Sequence, residues 1–242
     1  MYHGHFAAGL FIKALCGPSI PSWPIMFGSS ILDIIGGLDG LLGLDILQPD
    51  ITAGPYMYTR FVFIDWDHSL LMMSVWACLF GWIGCHYLAG YSPAASLVGA
   101  ASSVVHWLFD VLVIAETGLS LYPHGRYHFG LGLYDRFPVG SWVLECALCA
   151  VLGGAAWRVS KRRSGADVSR ACVLLAVLAM IMSPWTSPLL LVAYVDRWRP
   201  LGNWLRLVQA VGFWTAYIVP ATVFARLLDE AERNALSEKK VT

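Results

Sequence analysis

Charge is scarce in this chain. Only 13% of its 242 residues are Asp, Glu, Lys or Arg, against roughly a quarter in a soluble domain. The 16 basic and 16 acidic side chains cancel, which leaves no support for nucleic-acid binding. A disulfide framework is lacking as well. Cys16, Cys78, Cys85, Cys146, Cys149 and Cys172 all lie in or beside apolar runs, where they act as small hydrophobes. Cys146 and Cys149 have redox or zinc spacing, but they sit in mid-helix without a second pair. The first residues have no basic n-region and no small-residue cleavage site, so a signal peptide is not expected. No useful repeat, P-loop or serine-nucleophile motif is present. No strand precedes Gly125, Gly130 and Gly132, so they are not a nucleotide fingerprint. His68 and His86 stand about 27 Å apart along one helix, and no haem-type pair of axial histidines is evident at both depths.

What the chain has instead is apolar length. It is 57% hydrophobic, with a mean hydropathy of +0.62. A helix needs about 20 apolar residues to cross a bilayer. Six stretches qualify: Trp23–Leu47, Asp67–Leu88, Pro93–Ala115, Val139–Trp157, Ala171–Val195 and Asn203–Ala225. His5–Cys16 is too short to cross and stops at "GPSIPSWP", which suggests a half-span or re-entrant helix. The expected fold is an all-α, polytopic integral membrane bundle. Pro184 and Pro188 should kink or break the stretch that contains them. Basic residues set orientation: Arg158, Lys161, Arg162, Arg163 and Arg170 in the 158–170 loop, and Arg226, Arg233, Lys239 and Lys240 in the tail. Both segments are expected on the cytoplasmic side, with the loops near 48–66 and 116–138 outside.

The ionisable residues inside this apolar background then acquire a depth. His106 and Asp110 are one turn apart on one face, in the outer half of their span. An aspartate in hydrocarbon costs at least about 2.5 kcal/mol, so such a pair points to a site before it points to packing glue. The spacing H-x-x-x-D aims an imidazole and a carboxylate at one metal ion or one proton path. His68 opens its span from the same side, Asp33 lies in mid-helix with no basic neighbour, and Glu145 lies about two turns into its helix. His5 joins them if its segment runs inward. Asp39 and Asp45 point elsewhere around the Asp33 helix; Asp39 stays open and Asp45 reads as a helix-end residue. Asp65 and Asp67 read as solvated loop residues. The loop "LYPHGRYHFGLGLYDRFP" offers His124 and His128 as part of a lid or of a plain ordered loop.

The order "HFAAGL", "SSILDIIGG", "PDITAG", "WDHSLLMMSVWACLFG", "VVHWLFDVLV", "LYP", "FGLGLY" and "VLECAL" covers residues 1–157. It resembles a family of small, largely uncharacterised bacterial membrane proteins related to predicted membrane-bound metal-dependent hydrolases. The resemblance implies metal ligands at His5, Asp33, His68, His106 and Asp110, with Zn²⁺ the foremost candidate, and a functional carboxylate at Glu145. Such sequences often carry a further histidine and aspartate where this chain has Ile114 and Thr117, for which His124 and His128 are the candidate substitutes. Residues 158–242 fall outside the resemblance and read as a basic loop, two further helices and a tail. Two functional classes follow. One is a metal-dependent hydrolase of the bacterial inner membrane; the other is a non-catalytic subunit that reuses the scaffold to assemble with partner membrane proteins. A proton path or transporter ranks below both, since no paired broken helices recur in related halves.

Overall fold

The computed structural model describes residues 1–202 and 204–241. The chain forms a helical bundle in the order α1 (Tyr2–Cys16), α2 (Ser22–Gly28), α3 (Ile31–Leu42), β1 (Ile46–Pro49), β2 (Thr59–Phe63), α4 (Asp65–His68), α5 (Leu70–Cys78), α6 (Pro93–Val113), α7 (Leu133–Arg136), α8 (Pro138–Arg163), α9 (Ser169–Ile181), α10 (Pro188–Trp198) and α11 (Trp204–Val241). α5 continues as a π-helix over Leu79–Leu88. Among the described residues, four stretches are long and apolar enough to cross a membrane: Leu70–Leu88, Pro93–Val113, Pro138–Arg163 and Trp204–Lys239. A fifth span arises if α2 and α3, bent by 48°, count as one.

Two of the six expected spans are therefore corrected. Trp23–Leu47 is broken after Gly28, where Ser29 and Ser30 turn their hydroxyls onto the Met26 carbonyl at 2.9 and 3.1 Å. The break also suits packing, because a Cβ on Gly28 would run into the Gly99 carbonyl of α6. Ala171–Val195 becomes α9 and α10, split at "SPWTSP" as its prolines predicted. There, the Ser187 hydroxyl donates to the Tyr56 carbonyl at 2.6 Å and accepts from Leu189 N at 3.3 Å.

α1 is about 22 Å long by helix rise, short of a roughly 30 Å hydrocarbon core. It lies inside the bundle, with Phe6, Ala7 and Leu10 at 0% exposure. Its packing is closest with α8. Lys13 near its end is buried yet satisfied: Nζ donates to the Gly17 and Ile20 carbonyls at 2.8 and 2.7 Å and to Glu232 Oε2 at 2.7 Å. Three acceptors match the three ammonium protons. Leu97, Val151 and Met180 point outward from their helices, as lipid-facing side chains would.

The remaining corrections are local. Among the described residues, the one sheet is an antiparallel hairpin pairing Ile46 with Phe63 and Pro49 with Thr59. The basic residues from Arg158 to Arg163 belong to α8, so the connection to α9 is only residues 164–168. α11 carries the expected tail as continuous helix, about 57 Å in all. It packs along α3 and α2, so the last third of the chain shares the core of the first.

Candidate metal centre

Each ligating side chain is delivered by a local feature of the chain. His5 sits in the second turn of α1 and Asp33 in the first turn of α3. His68 ends the short helix α4. Ser69 follows in extended conformation and caps α5 by accepting from Met72 N at 3.4 Å. His106 and Asp110 share a face of α6. All five are buried, His106 at 0% exposure.

Their tips meet. His106 Nε2 lies 3.1 Å from Asp110 Oδ2, 3.4 Å from Asp33 Oδ2 and 3.4 Å from His68 Nε2. His68 Nε2 lies 3.3 Å from Asp110 Oδ2 and 3.8 Å from Asp33 Oδ1. His5 Nε2 approaches the other oxygen, Asp110 Oδ1, at 3.2 Å. The Met1 α-ammonium also touches Asp110 Oδ1 and lies 3.0 Å from His5 Nε2.

The opposite ring edges fix which nitrogen faces inward. His106 Nδ1 lies 2.8 Å from the Ser29 carbonyl, which only accepts; Nδ1 therefore carries the proton and Nε2 a lone pair. The break between α2 and α3 is what presents that carbonyl. His68 Nδ1 lies 2.8 Å from Asp67 Oδ1, a charge contact that favours a proton on the same nitrogen. The two Nε2 atoms then face each other and two carboxylates. Asp33 Oδ2 is buried without a hydrogen-bond partner, although it is within ion-pair range of His106. A cation among these atoms would resolve both features.

The residues fit a metal ion. Two groups, His5/Asp33/His106 and His68/His106/Asp110, bring their ligand atoms within 4.8 Å of one another. A tetrahedral ion with bonds of about 2.0–2.1 Å has ligand–ligand edges of about 3.3–3.4 Å. The separations within His68, His106 and Asp110, at 3.1, 3.3 and 3.4 Å, match that edge. The chain is thus a span-rich helical protein with two overlapping His/Asp clusters able to hold a divalent ion.

A cavity of about 30 Å³ borders the cluster, lined among others by Asp33, Asp45, Asp67, His68, Asp110 and Tyr134. That volume holds one or two waters. A larger one of about 410 Å³ shares Phe61, Ile114 and Tyr134 with it and adds Thr52, Thr59, Arg60, Thr117 and Asp135.

Sequence reading missed part of this. Asp65 and Asp67 are buried at 6% and 3% exposure and are not solvated. Asp65 Oδ2 accepts from His124 N at 2.9 Å. Asp45 is more than a helix-end residue, because it lines the cavity and accepts from Trp66 N at 3.2 Å. Burial, with Asp67 opposite, pushes its carboxyl up to about 9. Asp39 is buried as well, but it belongs to neither ligand group.

Glu145 is the centre of a second polar cluster. Oε1 accepts from Gly4 N at 2.9 Å and lies 3.5 Å from His3 Nδ1. Oε2 accepts from the Tyr56 and Tyr134 hydroxyls at 2.6 and 3.3 Å. The carboxylate therefore clamps the start of α1, one residue from His5, and meets the cavity through Tyr134. His124 and His128 are exposed on the loop between α6 and α7, outside the ligand groups and the cavity lining. His124 stacks on Phe63 with ring centroids 4.5 Å apart. No protein-family model matches the chain, nor does any curated protein or solved structure.

Proposed function

We propose that the protein is a membrane-embedded metal-dependent hydrolase, in line with the family resemblance of residues 1–157. One observation carries the reading: His68 and His106 turn their Nε2 atoms toward each other at 3.4 Å and toward Asp33 and Asp110, while their Nδ1 atoms are engaged from behind. Orientation of ligating histidines by carbonyl or carboxylate is the usual support of a metal site. Imidazole and carboxylate donors suit Zn²⁺ or a similar first-row ion. Such an ion, when bound, polarises a substrate oxygen and brings the pKa of water toward about 7.

The chain's own residues then divide the work. Asp33, His68, His106 and Asp110 hold the centre, with His5 on the far oxygen of Asp110. Tyr134 lines the cavity and donates toward Glu145, so a proton passing between site and Glu145 would travel through that phenol. Burial keeps the ligands dry and strengthens their mutual electrostatics. With the basic segments cytoplasmic, the hairpin and the 114–132 loop face outward in a bacterial inner membrane. A lipid head group or another phosphoester is the substrate class that suits such a site.

The test is metal content and phosphoester hydrolysis of the detergent-purified protein, beside a His106→Ala/Asp110→Ala double variant. We expect bound transition metal and turnover, both lost in the variant. A folded wild type that binds metal but hydrolyses none of a phosphoester panel would favour the assembly-subunit reading. Ile114 and Thr117, in place of the usual histidine and aspartate, lean that way.

A further inference from the structure

We infer that the cluster is a two-ion site, in which Asp110 carries one divalent ion on each of its carboxylate oxygens. The inference rests on the metal-binding reading above and adds the number of ions and the division of ligands between them.

Ring planes supply the first argument. A histidine lone pair lies in the plane of its ring, so a bound ion sits close to that plane. His5 and His106 are stacked, with centroids 3.6 Å apart and planes only 7° from parallel. An ion in the plane of one ring therefore lies well off the plane of the other. Although His5, Asp33 and His106 bring ligand atoms within 4.8 Å of one another, the two stacked rings aim their lone pairs at different points. His68 and His106 differ: their planes are inclined by 46° and their Nε2 atoms converge. His106 thus belongs with His68, and His5 needs an ion of its own.

Asp110 divides the same way. Oδ2 faces His68 and His106 at 3.3 and 3.1 Å, whereas Oδ1 faces His5 at 3.2 Å. The first set, His68, His106 and Asp110 Oδ2, supplies three protein donors whose ligand atoms lie within 4.8 Å of one another. Three donors leave one position of a tetrahedral site open, as catalytic sites do. The second set, His5 with Asp110 Oδ1, supplies two and leaves positions for a small ligand. A carboxylate shared between two ions is the arrangement found in many two-metal hydrolytic sites.

The experiment uses the full chain in detergent, stripped with chelator and reloaded with Mn²⁺ alone. Elemental mass spectrometry should give two ions per chain, and the electron paramagnetic resonance spectrum should show an exchange-coupled pair. His5→Gln should lose one of the two ions and restore the six-line spectrum of an isolated Mn²⁺. One ion per wild-type chain with a six-line spectrum overturns the inference and leaves the metal-binding reading intact. Two ions in both wild type and His5→Gln would overturn the assignment of His5. No ion in folded wild type overturns the metal-binding reading itself. The wild-type measurement decides the stoichiometry even if the variant fails to fold.

Discussion

Asp67 and the Ser29 carbonyl touch the two central histidines from behind, and their value lies in the lone pairs they aim. His106 takes its orientation from a main-chain oxygen, which substitution of the Ser29 side chain leaves in place. His68 takes it from Asp67, a side chain that can be changed. Asp67→Asn keeps the shape and removes the charge that favours a proton on Nδ1. Loss of such a partner typically costs 10–100-fold in metal affinity. We expect that weakening for Asp67→Asn in a competition titration against a chelator, with the helix content of the protein unchanged. An unaltered affinity would mean that the contact plays no part in ion binding. His106 and Asp110 could be picked out from the sequence because both lie on one turn of one helix. Asp67 could not, since "DWD" beside a loop looks solvated and its burial comes from α3, where Gly36 lies against its carboxylate. The same holds for Tyr56 and Tyr134, which reach Glu145 from segments 89 and 11 residues away.

Among the elements, breaks matter as much as helices. Those made by proline were legible: "SPWTSP" splits α9 from α10, and "GPSIPSWP" ends α1. The break between α2 and α3 was not, because Gly28, Ser29 and Ser30 are small residues that also pass as ordinary members of an apolar span. Its cause is long-range, the approach of Gly28 to the Gly99 backbone. Gly28→Val should therefore be costly. Overpacking in a core usually costs about 1–3 kcal/mol, and here the opposing atom is main chain, which cannot rotate away. We expect loss in the upper part of that range in denaturant titration in detergent. Ion affinity should fall with it, because the displaced Ser29 carbonyl is the partner of His106. Gly154→Val in α8 is the control, since nothing lies within 4 Å of a Cβ there. An equal loss in both would show that the effect is one of helix propensity and not of the α2–α6 contact. The hairpin escaped detection because strands of 4 and 5 residues leave little alternation to read.

At the scale of the whole molecule, the site and the basic segments occupy opposite ends of the bundle, and this polarity makes orientation testable. α1 runs from the cluster at His5 to Gly17, where Arg163 at the end of α8 lies alongside and donates to the Leu15 carbonyl. α11 runs the same way, from Gln209 beside Leu47 of the hairpin to Glu232 on Lys13. The positive-inside rule counts basic residues near span ends. Under the orientation proposed above, Arg158–Arg170 lie in the cytoplasm and the hairpin, with the 114–132 loop, outside. Single cysteines at Ser169 and Tyr127, both exposed, report the two ends in a background where the six native cysteines are serine. In intact cells, a membrane-impermeant maleimide should label Tyr127→Cys at once and Ser169→Cys only after permeabilisation. The reverse pattern would turn the cavity toward the cytoplasm, and the substrate search would move from outer-leaflet head groups to soluble phosphoesters and inner-leaflet lipids. The metal centre itself would stand, because its geometry rests on contacts between helices and not on which face the bundle presents.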